Sequence, residues 1–288
     1  MSSLVAVARV TRPQQWTKNV LVLAPLLPAG QLLSWSAVAG AAIAFAAFCV
    51  AASGIYVLND VLDVDADRAH PVKRGRPIAS GELSPDTATV LAVLLLGAAL
   101  LVALAARPEL VLVIAVYEAI QIAYCLGLKH EPVLELASVA SGFLLRALAG
   151  GVATGIPLSQ WFLMTAAFGS LFMAAGKRYA EIRLGERTGE PVRQVLERYT
   201  ASYLRFVWTM SGTAVVVTYS LWAFEVGEGA DSTWPVVSLI PFVLAVLRFA
   251  VDVDAGVAEA PDRMVVRDRI LLLLGGIWVT TLAAAVYT

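Results

Sequence analysis

The chain has 288 residues, of which 59% are hydrophobic and 15% are charged, and its formal net charge is −1. This composition excludes an ordinary water-soluble domain, because about a quarter of the residues in such domains are charged. The near-zero net charge gives no support for a nucleic-acid partner, and we expect none. Cys49 and Cys125 lie in separate apolar stretches, so the sequence predicts neither a disulfide framework nor a thiolate metal site.

Nine apolar stretches follow one another along the chain, and each is a candidate for a membrane-spanning helix of about 20 residues. They cover approximately residues 19–34, 37–58, 86–106, 109–128, 133–153, 158–180, 199–224, 234–251 and 267–287. The first stretch is short and is interrupted by Pro25 and Pro28. The predicted fold is an all-α, polytopic membrane protein with nine transmembrane helices, in which residues 1–288 form a single transmembrane domain.

The basic residues predict the orientation of these helices, because the cytoplasmic loops of membrane proteins are enriched in Lys and Arg. If the N-terminus is cytoplasmic, the inner segments contain every Lys and Arg except Arg107, Arg146, Arg205 and Arg248. Nine spans then place the C-terminus outside. We therefore expect a multi-pass protein of the plasma membrane whose long connections, 59–85, 181–198 and 252–266, face the cytoplasm.

An acidic run, Asn59–Asp67, begins where the second apolar stretch ends. Ionisable residues at a membrane boundary are energetically costly and usually functional. If a helix continues through the run, Asp60, Asp63 and Asp67 share one face, where three carboxylates repel one another unless a cation lies among them. Mg²⁺ suits such oxygen ligands and is usually shared with substrate phosphates. The run therefore predicts a metal–diphosphate site in which Asn59, Asp60, Asp63 and Asp67 hold Mg²⁺, with Asp60 and Asp63 as catalytic residues.

Two basic segments on the inner side are candidates for binding phosphate. Lys73, Arg74 and Arg76 follow the acidic run, and Lys and Arg can take the phosphate charge that a metal leaves unbalanced. These residues alternatively serve only to orient the protein in the membrane. The segment Lys177–Glu181 offers Lys177 and Arg178 to phosphate, and Tyr179 or Glu181 to a hydroxyl group or a metal-bound water. Its simpler interpretation is an ion pair between Lys177 and Glu181 on one helix face.

Polar residues near and inside the apolar stretches are further candidates for substrate binding. Lys18 and Asn19 follow Trp16, whose alternative role is to anchor the chain at the membrane interface. Buried polar groups in a membrane face a cavity or pair with one another. The candidates inside the membrane are Tyr117, Gln121, Tyr124 and Arg146. A structural ion pair between Glu118 and Arg146 is the alternative to a substrate role.

The pattern Asn-Asp-x-x-Asp-x-x-x-Asp formed by the acidic run resembles the first signature of the UbiA-type intramembrane prenyltransferase superfamily. Arg12–Asn19, Arg76–Gly81 and Leu145–Gly151 are also similar to segments of that superfamily. The resemblance covers the whole chain. It implies a nine-helix fold, Mg²⁺ as the cofactor, and an active site at the cytoplasmic face built from loops 59–85 and 177–198.

The chain departs from the superfamily at one position that bears on the substrate. Where a second Asp-x-x-x-Asp motif is usual, this chain has Lys177-Arg178-Tyr179-Ala180-Glu181. This segment, Tyr203–Trp208 and Leu247–Asp254 resemble a branch that transfers 5-phosphoribosyl from 5-phosphoribosyl-1-diphosphate to decaprenyl phosphate for cell-wall arabinan synthesis. The donor of that branch carries a diphosphate and a separate 5-phosphate, so a basic segment suits the second position. The acceptor is already an anion, and catalysis would rest on positioning and on stabilising the leaving diphosphate.

Two other functions remain open at this stage. A prenyltransferase that acts on an aromatic acceptor, in a quinone or haem pathway, would normally need the second acidic motif. A membrane transporter would also place polar residues in the membrane, but transporters often consist of two related halves, and we find no internal repeat. A homo-oligomer in the lipid bilayer is compatible with the sequence.

Overall fold

The computed structural model describes residues 3–189, 194–230, 232–255 and 268–287. Within these residues the protein is helical and has no strand, which confirms the all-α prediction. Part of the predicted loop 177–198 and the predicted inner residues Arg193, Arg263 and Arg267 lie outside the described residues.

The described residues form eleven α-helices and four short 3-10 helices. The α-helices are α1 Ser3–Val10, α2 Trp35–Leu62, α3 Val64–Ala69, α4 Pro85–Leu104, α5 Pro108–Leu126, α6 Leu134–Thr154, α7 Gln160–Thr188, α8 Ala201–Ala230, α9 Trp234–Val237, α10 Leu239–Asp254 and α11 Arg269–Tyr287. The 3-10 helices are Pro13–Leu23, Lys73–Gly75, Leu128–His130 and Gln194–Arg198.

Seven helical segments of the described chain are long and apolar enough to cross a membrane: α2, α4, α5, α6, Ala201–Gly229, the combined α9 and α10, and α11. Two of the nine predicted spans are not among them. The first stretch, 19–34, begins in the 3-10 helix Pro13–Leu23 and continues as turns, as expected of a segment that contains Pro25 and Pro28. The sixth stretch is the 29-residue helix α7, whose second half is charged. The nine-span count and the orientation of the termini therefore stay predictions.

The chain divides into two units, of which the first comprises residues 1–26, 32–129 and 145–157. Its core is rich in alanine along α2 and α4, and Phe48 and Ile114 are fully buried. Small side chains let helices approach closely, which is how helices associate in a membrane that offers no hydrophobic driving force. Gly150 shows this requirement, because a Cβ atom there would clash with the carbonyl oxygen of Val22.

The second unit comprises residues 27–31, 130–144 and 158–288. Helix α7 packs along α8. The hydrophobic core of this unit includes the fully buried Tyr179. Asp268 directly precedes α11, and its carboxylate accepts hydrogen bonds from the amides of Ile270 and Leu271 and, at 2.6 Å, from Nε of Arg248. Burial raises the pKa of Asp268, but these hydrogen bonds outweigh it, so the pKa lies below its ordinary value.

Candidate functional site

The acidic run spans a break between two helices. Helix α2 ends at Leu62 and α3 begins at Val64, so the helix on which the shared face depends is interrupted at Asp63. The backbone still turns in a helical sense there, because the amide of Asp63 donates to the oxygen of Asn59 and the amide of Asp67 donates to the oxygen of Asp63. The aspartates therefore stay within a local helical path, and Asp60 and Asp67 are each 2% exposed.

Each of the three predicted metal-binding aspartates contacts a basic side chain. Asp60 Oδ1 accepts from Nη2 of Arg12 at 2.5 Å and from Nη1 of Arg76 at 2.9 Å. The same Nη1 of Arg76 lies 2.6 Å from Oδ2 of Asp67. Nζ of Lys129 lies 2.5 Å from Oδ1 of Asp63. Three carboxylates and three bases therefore form a charge-balanced cluster, which we call the aspartate cluster.

The segment that carries Arg12 is held against α2 by a chain of hydrogen bonds. Ser53 on α2 donates to the oxygen of Thr11, and Nε1 of Trp16 donates to Oγ of Ser53 at 3.1 Å. Arg12 itself has φ 50° and ψ 59°, the left-handed region that non-glycine residues rarely adopt. Such backbone strain clusters at functional sites. The guanidinium of Arg12 also lies over the ring of Tyr56, 5.2 Å from its centroid.

Arg76 is positioned by a buried turn on its C-terminal side. Ile78 is fully buried and packs with Val57 and Ala88. The turn closes when the amide of Ser80 donates to the oxygen of Arg76, and when the amide of Leu83 donates to the oxygen of Pro77. The amide of Arg76 also donates to the oxygen of Lys73, so backbone hydrogen bonds hold Arg76 on both sides. Its side chain extends from this fixed backbone toward Asp60 and Asp67.

The other predicted residues of this unit differ in exposure. Lys73 and Arg74 lie on the exposed 3-10 helix Lys73–Gly75 and have the freedom to bind a phosphate from solvent. Asn59, Lys18, Gln121 and Tyr124 are half-buried. The assignment of these side chains to metal or substrate stays a prediction.

Arg146 belongs to a polar network inside the membrane. Its Nε donates to Oδ1 of Asn19 at 2.7 Å, and its Nη2 lies 3.3 Å from the hydroxyl of Tyr117. The guanidinium also lies within about 5 Å of the centroids of the Phe48 and Tyr117 rings. Glu118 is buried, and its Oε1 accepts no hydrogen bond from the described residues. Arg146 thus contacts Asn19 and Tyr117, and the alternative of a Glu118–Arg146 pair stays a prediction.

The aspartate cluster fits a Mg²⁺ ion that is shared with a substrate. The described residues contain no group of three His, Cys, Asp or Glu side chains arranged to hold a metal by themselves. Mg²⁺ is, however, usually held by one or two carboxylates together with substrate phosphates. Among the described residues, the basic groups contact Oδ1 of Asp60, Oδ1 of Asp63 and Oδ2 of Asp67, which leaves the other oxygen of each carboxylate as a ligand.

In the second unit, the predicted phosphate ligand Arg178 contacts two carboxylates. Its Nε donates to Oε1 of Glu135 at 2.8 Å, its Nη2 contacts the same oxygen, and its Nη1 lies 3.2 Å from Oε2 of Glu181. Glu135 is 1% exposed and Arg178 is 5% exposed. Lys177, next to them, is half-buried. The carboxylate of Glu181 thus pairs with Arg178, a different partner from the Lys177 of the simpler interpretation.

Tyr179 and Tyr199 join helices of the second unit. The hydroxyl of Tyr179 lies 3.0 Å from Oδ1 of Asp254 and accepts a hydrogen bond from Nη2 of Arg205 at 2.6 Å. The hydroxyl of Tyr199 accepts from the amide of Val133 at 2.7 Å, and Val133 has a φ of 69°, unusual for a β-branched residue. Burial raises the pKa of Tyr199 above its ordinary value. The predicted role of Tyr179 on a substrate hydroxyl or a metal-bound water stays a prediction.

Arg12, Lys129 and Glu135 are not among the residues that the sequence predicts for the site. Arg12 lies in a segment that resembles the superfamily, which is a usable signal. Lys129 follows an apolar stretch, where a basic residue is expected only to orient the protein in the membrane. Glu135 is a single acidic residue near the start of another apolar stretch. Their partners lie 48, 66 and 43 positions away in the sequence, so spacing alone could not reveal them.

Some known proteins are similar to this chain in sequence, and others are similar in fold. The sequence model of the UbiA prenyltransferase family matches residues 20–267. A protein of Mycolicibacterium smegmatis named decaprenyl-phosphate phosphoribosyltransferase is 52% identical, over 97% of this chain and 92% of that protein. A Mycobacterium tuberculosis protein of the same name is 53% identical, over 99% of this chain and 96% of that protein.

A solved structure, of a UbiA homolog from Archaeoglobus fulgidus bound to GPP and Mg²⁺, has a TM-score of 0.73 to this chain. It covers 98% of this chain and 100% of its own chain at 16% identity, so this likeness concerns the fold. The apolar helices, the aspartate cluster and the family match over residues 20–267 all indicate the same family. This integral membrane protein belongs to the UbiA prenyltransferase family.

Proposed function

We propose that this protein transfers the 5-phosphoribosyl group of 5-phosphoribosyl-1-diphosphate to decaprenyl phosphate and releases diphosphate. The observation that carries the proposal is the identity of 52% and 53%, over nearly the whole chain, with relatives that are named decaprenyl-phosphate phosphoribosyltransferase. The product would be a lipid-linked precursor for cell-wall arabinan, as in arabinogalactan and lipoarabinomannan. The enzyme is thus a glycosyltransferase of the pentosyl class.

The reaction exchanges one bond at C1 of the ribose. An oxygen of the lipid phosphate attacks C1 while the bond from C1 to the diphosphate oxygen breaks, and the diphosphate leaves with the electron pair. Positive charge develops on the ribose ring as the leaving group departs. Since the attacking phosphate is an anion, the protein need not remove a proton to create a nucleophile. Its task is to hold two anionic substrates at a reactive distance and to stabilise the leaving group.

The aspartate cluster provides the groups for the leaving diphosphate. We assign Asn59, Asp60, Asp63 and Asp67 as the residues that would hold Mg²⁺, and Asp60 and Asp63 as essential for catalysis. When bound, Mg²⁺ would neutralise charge on the leaving diphosphate. The solved UbiA homolog with bound Mg²⁺ supports this cofactor.

Basic side chains divide between the phosphates of the donor in this proposal. Lys73, Arg74 and Arg76 are assigned to the diphosphate, because they follow the acidic run and two of them are exposed. Lys177 and Arg178 are assigned to the 5-phosphate, because they replace the usual second acidic motif. The remaining assigned contacts are those of Lys18, Asn19, Tyr117, Gln121, Tyr124, Arg146, Tyr179 and Glu181 with substrate. Because Arg146 contacts both Asn19 and Tyr117, we assign these three residues the role of positioning one another beside the substrate.

The proposed setting follows from the charge distribution. The active site, formed from loops 59–85 and 177–198 of one functional domain, would face the cytoplasm of a plasma-membrane protein, where 5-phosphoribosyl-1-diphosphate is available. The acceptor would be reached from the lipid bilayer. A homo-oligomer is compatible with this setting, and no nucleic acid takes part.

The test is identification of the lipid product by mass spectrometry. Purified protein is incubated with decaprenyl phosphate, Mg²⁺ and either labelled 5-phosphoribosyl-1-diphosphate or a labelled prenyl diphosphate with an aromatic acceptor. We expect labelled lipid with the mass of decaprenylphosphoryl-5-phosphoribose from the first donor alone. Label transferred only from the prenyl diphosphate would identify an aromatic prenyltransferase, and label from neither donor would favour transport.

A further inference from the structure

The aspartate cluster has a feature that a plain metal site does not need. One nitrogen, Nη1 of Arg76, bridges two carboxylates: it lies 2.9 Å from Oδ1 of Asp60 and 2.6 Å from Oδ2 of Asp67. Both carboxylates are nearly inaccessible to solvent, with side-chain exposures of 2% and 4%. A divalent cation that bridged these two carboxylates would therefore compete with the guanidinium for the position between them.

The other acids of the cluster are equally compensated. Arg12 also contacts Asp60, and Lys129 contacts Asp63, so three negative charges face three positive ones. A divalent cation that entered alone would add two positive charges to a neutral, partly buried cluster. This excess charge is unfavourable, because repulsion between like charges is stronger where the effective dielectric is low. A cation that enters with a diphosphate brings its own counter-charge. The diphosphate also gives Arg76 a new partner, with which it can form paired hydrogen bonds.

We propose that Arg76 makes metal binding depend on the diphosphate: it occupies the carboxylates in the resting protein and transfers to the diphosphate when the metal–diphosphate complex binds. This inference rests on the proposed function, because it assumes that the aspartate cluster is the metal–diphosphate site. By linkage, the diphosphate strengthens metal binding by the same factor by which the metal strengthens diphosphate binding. The site thereby avoids holding a metal without its substrate.

The experiment measures binding without turnover. Full-length protein in detergent is placed in equilibrium dialysis with Mn²⁺, which is detectable at low concentration, with and without labelled inorganic diphosphate in both chambers. The excess of each on the protein side gives its affinity. For wild type, we expect weak uptake of Mn²⁺ alone and joint uptake of Mn²⁺ and diphosphate.

The informative variant is Arg76→Gln, which keeps a polar but shorter side chain and removes the charge. We expect it to bind Mn²⁺ alone about tenfold more tightly than wild type, a change of about 1.4 kcal/mol, and to lose most of the enhancement by diphosphate. The matched control is Arg68→Gln. Arg68 contacts Asp65 on the surface, where the acid is 92% exposed, and surface pairs contribute little.

A second measurement applies if Arg76→Gln is unstable, because its carboxylates lose a partner. A ligand that binds only the folded state raises the melting temperature, and at a given concentration the rise is larger for tighter binding. Mn²⁺ alone should then raise the melting temperature of Arg76→Gln more than that of wild type or Arg68→Gln. Equal or weaker binding of Mn²⁺ alone by Arg76→Gln, with joint uptake preserved in wild type, would overturn the exchange but leave the metal site standing. No uptake of Mn²⁺ by any protein, even with diphosphate, would overturn both.

Discussion

The contact between Glu135 and Arg178 gives the sharpest prediction about the second unit. Their side chains are 1% and 6% exposed, and two nitrogens of Arg178 contact one oxygen of Glu135. Removing one partner of a buried pair leaves an uncompensated charge and typically costs about 3–5 kcal/mol. Because Glu181 still contacts Arg178 at 3.2 Å and is itself 17% exposed, we expect the lower end of this range for Glu135→Leu, about 3 kcal/mol.

The assay is thermal unfolding in one detergent, followed by circular dichroism. A loss of about 3 kcal/mol should lower the melting temperature by about 5–10 °C. The double variant Glu135→Leu/Arg178→Met removes both charges of the buried pair and should recover most of the loss, since an apolar replacement of a buried pair is often neutral. The recovery should be incomplete, because Glu181, which is 17% exposed, also loses its contact with Arg178. The control is Glu131→Leu, whose pair with Arg198 is 54% exposed on each side and should matter little.

The double variant also separates a structural role of Arg178 from its assigned role on phosphate. With stability restored, loss of a charge-assisted hydrogen bond to the 5-phosphate should raise the KM for the phosphoribosyl donor about tenfold. An unchanged KM would remove Arg178 from the phosphate site. A double variant as unstable as Glu135→Leu would refute the reasoning about the pair itself.

Three further predictions concern other parts of the chain. Asp60→Asn should abolish Mg²⁺-dependent transfer while the protein is still expressed, whereas the same change at the 92%-exposed Asp65 should leave transfer intact; wild-type turnover in Asp60→Asn would refute the metal assignment. The lowered pKa of Asp268 means that its stabilising contribution is complete above the unfolded pKa of about 3.9 and is lost as pH falls through the folded pKa. Melting temperatures measured from about pH 6 downward should therefore fall more steeply in wild type than in Asp268→Asn, and parallel curves would contradict this. Tyr199→Phe leaves the amide of Val133 without its acceptor and should cost about 1–3 kcal/mol in the same unfolding assay, and no measurable change would show that this hydrogen bond adds nothing.

The sequence predicted the helices well wherever apolar length alone decides. Helices α2, α4, α5 and α6 agree with the predicted spans because about 20 apolar residues in a membrane have few alternatives to a helix. Helix α7 runs beyond its predicted end at residue 180 to Thr188. The added turns contain good helix formers such as Leu184 and Arg187, and the helix ends at Gly189, which has a positive φ of 72°. Hydropathy marks where a span leaves the membrane, whereas helix propensity and capping decide where the helix ends.

Only part of the aspartate cluster is recognisable from the sequence, and the reason is physical. The acidic run and the loop with Arg76 are local in sequence, so a pattern could identify them. Arg12 and Lys129 come to the same carboxylates from distant segments, and only tertiary structure brings them there. Sequence spacing could thus identify candidate ligands for a cation but not the basic groups that contact the same carboxylates.

Compensation of this kind changes how single-charge variants must be interpreted. In the first unit the aspartates face Arg12, Arg76 and Lys129, and in the second unit Arg178 faces two carboxylates. A neutralising substitution removes a possible substrate contact and, at the same moment, leaves a buried opposite charge without a partner. Lost activity therefore does not by itself identify a ligand. Only variants that remove charges in pairs, or binding measurements that bypass turnover, distinguish residues that touch substrate from residues that compensate those that do.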